Sequence, residues 1–143
     1  MTSTDSTVAK WLEIHAGGYA NLSAEERQAI HDFSLLWSLF EARVLSNNAN
    51  IPRIRQCVTE AANVGAGIDV AQFQESLAYF TARYHANGNF NHRFKQLRFQ
   101  NGQNSGRAEV EAVLNGTQTT TPEILTALLA IIYRMRNNLF HGE

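Results

Sequence analysis

Apolar residues recur at helical spacing along most of the chain, and no stretch shows convincing period-two alternation. In "SAEERQAIHDFSLLWSLFEARVL" the stripe Ile30, Phe33, Trp37, Phe40, Val44 predicts a long helix packed on the core, opened by a capping box of Ser23 and Glu26. A shorter helix is predicted from Pro52 to about Ala62, because proline suits a first helical turn, with Gly65 and Gly67 stopping it. Asp69 then stands where it can cap "VAQFQESLAYFTARYH", whose buried face is Val70, Phe73, Leu77 and Phe80.

Beyond that helix, "ANGNFNHRFKQLRFQNGQNSG" is punctuated by Asn and Gly and reads as a loop around one short helix, "NHRFKQLRF". A further helix, "RAEVEAVL", ends at Asn115-Gly116. The last one has Thr121 as cap, Pro122 at the first position and Glu123 in the first turn, and is expected to run to Leu139 or Phe140. No repeat or long linker divides the chain. The pattern therefore implies one all-α domain over residues 1–143, a compact bundle of four to five main helices.

Composition narrows the setting. At 143 residues and 44% hydrophobic, the chain has enough apolar material for one core. Its one cysteine, Cys57, excludes an intrachain disulfide and points to a reducing compartment. The polar opening "MTSTDSTVAK" does not read as a secretory signal, and no apolar run reaches the roughly 18 residues of a membrane span, so a cytoplasmic protein is expected. Net charge is −1, against bulk coating of nucleic acid. The halves differ, however: up to Thr81 five basic residues meet nine acidic ones, and from Ala82 onward seven meet four. An anionic partner would prefer the C-terminal half.

That half ends in "YRMRNNLFHGE", directly after the most apolar stretch of the chain. Part of this is ordinary helix grammar: histidine and arginine suit the negative end of a helix, and Gly142 can adopt the left-handed conformation of a stop. Yet Arg136 lies four residues after Ile132, seven after Leu129 and eleven after Leu125, which places it on an apolar face. A second arginine and two asparagines crowd the same turn. Polarity concentrated on a core helix is the local conflict expected at a working site.

The run Arg136-Asn137-Asn138-Leu139-Phe140-His141-Gly142 resembles the R-x4-6-H signature of HEPN domains, in which a polar residue, often Asn, follows the arginine. The helical bundle before it is similar in architecture. Similar proteins usually continue into another helix after the histidine, so the resemblance implies a domain lacking that final helix. It further implies metal-independent cleavage of RNA in a homodimer whose paired motifs face each other, with Arg136, His141 and Asn137 at the catalytic site and no cofactor.

The residue chemistry fits on its own terms. Cleaving RNA without a metal needs a base for the 2′-hydroxyl proton, an acid for the leaving 5′-oxygen and a cation for the crowded phosphorus. An imidazole serves either proton role, and a guanidinium binds phosphate oxygens through parallel hydrogen bonds. Arg136 and His141 are five positions apart, about 140° round a regular helix. Either the helix ends before His141, or a second chain completes the site. Asn137 has two open roles, a hydrogen bond to phosphate or to the arginine, and a plain helix-end amide.

Other residues are weighed beside these. Glu41 falls in the apolar stripe of the long helix and needs a counter-charge: in a functional role it would hold Arg136 or position His141, and in a structural one it would pair with another arginine such as Arg43 or Arg55. In "FNHRFKQLRF", Phe90, Phe94 and Leu97 share one face of an amphipathic helix, which leaves the charges to water; Arg93, Lys95 and Arg98 are kept beside that reading as candidate phosphate contacts, with Arg134 as a fourth. His15, His31, His85 and His92 show no ligand spacing, so no metal is assigned. No Walker-type loop or nucleophile elbow is present. The leading expectation is an endoribonuclease acting on single-stranded RNA, a toxin or defence effector restrained by an antitoxin or regulatory protein. Alternatives are a catalytically inactive HEPN-like module that binds a partner or nucleotide, and an unrelated helical interaction domain.

Overall fold

The final apolar segment forms a helix of 21 residues, α7 (Thr121–His141). In the computed structural model, which describes residues 7–47, 49–65 and 67–141, the last three of these by backbone alone, seven α-helices and one two-stranded hairpin are present. The all-α expectation holds. The described chain divides into two compact units, between Phe40 and Glu41.

In the first unit, α1 (Thr7–His15) has no counterpart among the sequence expectations, and its Val8, Trp11 and Ile14 are exposed. It is tied to the start of α2 (Ala24–Arg43) by Arg27. The Arg27 guanidinium donates to Glu13 Oε1 at 2.8 Å and lies 4.6 Å over the ring of the buried Tyr19. The Tyr19 hydroxyl meets His31 Nε2 at 3.0 Å. The capping box opens α2 as expected: Ser23 N donates to Glu26 Oε2 at 2.7 Å and Glu26 N to Ser23 Oγ at 3.1 Å. The expected core stripe is only partly realised. Trp37 is buried, Ile30, Phe33 and Phe40 are half-buried, and Val44 is exposed, as are Leu35, Leu36 and Leu39.

The second unit is built around α7, which packs chiefly on α3 (Ile51–Asn63) and α6 (Arg107–Leu114), with α4 (Gln74–Tyr84) against it as well. Each helix contributes a stripe at helical spacing: Ile51, Ile54, Val58 on α3; Val110, Val113, Leu114 on α6; Ile124, Ala127, Leu128, Ile131 on α7. Asn50 caps α3 by accepting from Arg53 N at 2.8 Å. Asp69 and Gln72 form a capping box at a 3-10 turn, Val70–Phe73, that leads into α4. The cap of α7 falls one residue earlier than its sequence suggests. Thr120 N donates to Glu123 Oε1 at 3.3 Å and Glu123 N to Thr120 Oγ1 at 3.4 Å, so the box spans Thr120 and Glu123, and Pro122 takes the second helical position. Its missing N–H is one of the donors a first turn leaves unpaired in any case.

The segment expected to be loop holds a small antiparallel hairpin, His85–Ala86 paired with Asn89–Phe90. Asn87 and Gly88 both have positive φ, 54° and 79°, the turn that matches strand twist. Strands of two residues are too short for alternation to register. Asn91 then accepts from Arg93 N and Phe94 N to start α5 (His92–Gln96) and donates to Arg83 O at 2.7 Å, fastening α5 to α4. The helix stops before the expected Phe99, because Arg98 has φ of 54°.

Candidate functional site

Four segments of the second unit converge: the last turn of α2, the start of α3, the loop 100–105 and the C-terminal half of α7. The α2 turn is fixed by Asn47 N, which donates back to Glu41 O at 2.8 Å across Ser46 and Asn47, both in the left-handed region. Arg53 Nη2 and Cys57 Sγ both reach Val44 O, at 3.3 and 3.4 Å, tying this turn to α3. The loop is held by Arg55. Its Nη2 donates to Gln103 O at 2.6 Å and its Nη1 to Asn104 Oδ1 at 3.2 Å, while the guanidinium also pairs with Glu109. Gly106, which begins α6 with φ of 83°, lets that corner pass close to the core: a Cβ there would stand 3.0 Å from Ile51 Cδ1 and 3.2 Å from Ala130 Cβ.

The two arginines of α7 go to different places. Arg134 continues the buried stripe, three residues after Ile131 and ten after Ile124, and is 7% exposed. Its Nε donates to Leu97 O at 2.9 Å and its Nη2 to Asn138 Oδ1 at 3.4 Å, while Asn138 Nδ2 donates to Gln96 O at 3.1 Å. Burial of Ile124, Leu128 and Ile131, each contributing about 1.5–3 kcal/mol, carries Arg134 inward. The bond to Leu97 O offsets part of a desolvation cost of several kcal/mol. Arg134, expected among the RNA contacts, is thus bound into the fold.

Arg136 keeps about a quarter of its side chain exposed. Its Nη2 is 3.5 Å from Glu41 Oε2, and its Nη1 donates to Asn137 Oδ1 at 3.1 Å. Of the partners weighed for Glu41, the structure brings Arg136; Arg55 pairs with Glu109 instead, and Arg43 is exposed. Asn137 touches the arginine.

Beside these groups opens a cleft of about 410 Å³. Arg134, Arg136 and Asn137 line it from α7, with Tyr133. Asn50 and Ile51 come from the start of α3, and Gln100, Asn104 and Ser105 from the loop. No carboxylate is among the described residues that line it. The loop and cap residues were missed from sequence, where "QNGQNS" reads as turn punctuation. Its density in primary amides was the available signal.

The remaining candidates lie elsewhere. Arg93, Lys95 and Arg98 are exposed on and after α5. Lys95 and Arg98, with Arg107, border a smaller hollow of about 150 Å³ whose floor is Phe94 and Phe99. His141 is the last residue of α7; its side chain, and Gly142 as the expected stop, lie outside the described residues. The backbone result still bears on the site. Since α7 runs through His141, the helix does not end early, and Arg136 and His141 stay about 140° apart around its axis.

Among the described residues no three His, Cys, Asp or Glu gather as metal ligands would, and no helix is long and apolar enough to cross a membrane. Comparison with family models, curated proteins and solved structures finds no match for the chain.

Proposed function

We propose that the protein is a metal-independent endoribonuclease acting on single-stranded RNA as a toxin or defence effector, its active site completed across a homodimer. The observation that carries this reading is Arg136, which is held by Glu41 and Asn137 at the edge of a cationic, amide-rich cleft, five helical residues before His141.

In the reaction, the His141 imidazole of one protomer takes the 2′-hydroxyl proton as that oxygen attacks the adjacent phosphorus. The imidazole of the second protomer protonates O5′ as the P–O5′ bond breaks. The products are a 2′,3′-cyclic phosphate and a 5′-hydroxyl. Arg136 binds the non-bridging oxygens, whose charge grows as the fifth bond to phosphorus forms. Two histidines are needed because one cannot be base and acid on opposite sides of the same phosphorus. A single unbroken α7 offers only one, and holds it well round the axis from its arginine, which is the reason for assigning the site to two chains. Lys95, Arg98 and Arg93 are the contacts for flanking phosphates.

The test is incubation of the purified protein with single-stranded RNA in excess EDTA, beside Arg136→Ala and His141→Ala. Cyclic phosphate ends that disappear in both variants are the expected result. Intact RNA from a folded dimer would overturn the enzyme reading and leave a binding module, and a monomer that cleaves would overturn the composite site.

A further inference from the structure

We propose that the cleft beside Arg136 is a subsite for one unstacked nucleotide, with Arg136 on its phosphate and Gln100 and Asn104 reading the edge of its base. The proposal deepens the ribonuclease reading by assigning a specificity element, and rests on that reading only for where the scissile phosphate lies.

Three features of the cleft select this ligand class. Its charge is the first: guanidinium groups and no carboxylate among the described lining residues favour an anion over a cation or an uncharged sugar. Its amides are the second. Primary amides present a donor and an acceptor side by side, the complement of a heterocyclic base edge, and single-stranded RNA is read by such contacts to splayed-out bases. Size is the third: about 410 Å³ lies near the lower end of small-ligand pockets, enough for one nucleotide and not for a stack or a duplex.

Asn104 and Gln100 have distinct tasks. The Asn104 Oδ1 is already taken by Arg55 Nη1 at 3.2 Å, which leaves its NH₂ as the end that donates. That end suits a carbonyl or ring-nitrogen acceptor on a base. Because Arg55 also holds Gln103 O and pairs with Glu109, the donor is presented from a braced loop. Gln100 is exposed and makes no hydrogen bond inside the chain among the described residues, so its amide is available to a ligand as donor and acceptor. Ile51 and Tyr133 supply apolar and aromatic surface in the same walls.

The experiment titrates the four nucleoside 3′-monophosphates, and inorganic phosphate as control, into the His141→Ala protein by calorimetry. At least one nucleotide is expected to bind about tenfold or more tighter than phosphate, and the four to differ among themselves. Gln100→Ala, which breaks no internal bond, and Asn104→Ala are expected to level the differences between bases while phosphate binding stays unchanged. Arg136→Ala weakens all five ligands in equal proportion. Equal binding of the four nucleotides, binding no tighter than phosphate, or a base preference that survives both loop variants overturns the subsite. Base-selective binding by a protein that leaves RNA intact keeps the subsite and removes the cleavage reading; RNA cleavage without any nucleotide selectivity does the reverse.

Discussion

Glu41 on the last turn of α2 and Arg136 near the end of α7 approach to 3.5 Å although 95 positions apart in sequence, and Asn137 holds the same guanidinium from the other nitrogen. A guanidinium held at two of its nitrogens has a fixed orientation. Glu41 therefore acts as a positioning residue in the proposed reaction.

Glu41→Gln keeps the shape and removes the charge. Its expected effect is a fall in kcat of about 10- to 100-fold, the scale on which small misplacements act, with KM for RNA little changed. Because Glu41 works through Arg136, the double variant with Arg136→Ala is expected to be no slower than Arg136→Ala alone. Additive losses in that cycle would assign Glu41 a separate role.

Arg134 and Arg136 are two residues apart and are expected to respond in opposite ways. Arg134→Leu removes the short bond to Leu97 O, which keeps only the longer one from Asn138 Nδ2 at 3.5 Å, and leaves Asn138 Oδ1 without Arg134, and should cost roughly 2–4 kcal/mol in urea unfolding. Arg136→Ala, at a partly exposed ion pair, should cost less than about 1 kcal/mol while lowering the cleavage rate further than Glu41→Gln does. Comparable unfolding midpoints for the two variants would contradict the distinction.

Much of the second unit was legible because its local signals agree. Asp69 and Asn115-Gly116 mark boundaries by their residue types alone, and the backbone turns into and out of helix there. The misses have physical reasons. The strands either side of Asn87-Gly88 span a single period of alternation each, and the cap of α7 depended on which of two adjacent threonines Glu123 chose. At the site, spacing from Ile132, Leu129 and Leu125 marked Arg136 as unusual, and Glu41 was singled out as needing a cation. Arg134 looked like a surface charge because its place on the Ile124–Ile131 stripe shows only once the helix is known to bury that side. The cleft's loop residues carry no periodicity, and only tertiary contacts, chiefly those of Arg55, bring them to α7.

Gly106 is where the loop meets the core. Gly106→Ala combines a left-handed backbone with a Cβ 3.0 Å from Ile51 and 3.2 Å from Ala130. A loss of roughly 2–4 kcal/mol is expected from strain and overpacking together. Thermal unfolding of this variant beside Gly116→Ala, where φ is also positive but no atom lies within 4 Å, isolates the packing part. Equal losses would show that backbone conformation alone matters.

Tyr84 sets an alkaline limit. Burial pushes its phenol above the usual 10.0, against partial lowering by Arg83. A group whose folded value is raised stabilises fully below its unfolded value, and that stability is lost as pH rises through the folded one. Stability should therefore fall as pH passes 10. Tyr84→Phe, which keeps the ring against Phe80 and Phe94, should flatten that fall, measured as urea midpoints across the range. An unchanged slope would assign the alkaline loss to other groups.

The composite site makes a quantitative demand on mixed dimers. If one scissile phosphate needs an imidazole from each protomer, a dimer of wild-type and His141→Ala chains has base or acid but not both. Chains that assort freely at equal amounts then give active wild-type pairs in only about a quarter of the dimers, following twofold pairing statistics. The expected activity of a co-refolded equal mixture is thus about one quarter of that of the same total of wild-type protein, and a site within one chain would give about one half. An acid and a base acting together also give kcat/KM a bell-shaped pH profile. A half-maximal mixture would return both proton transfers to a single chain.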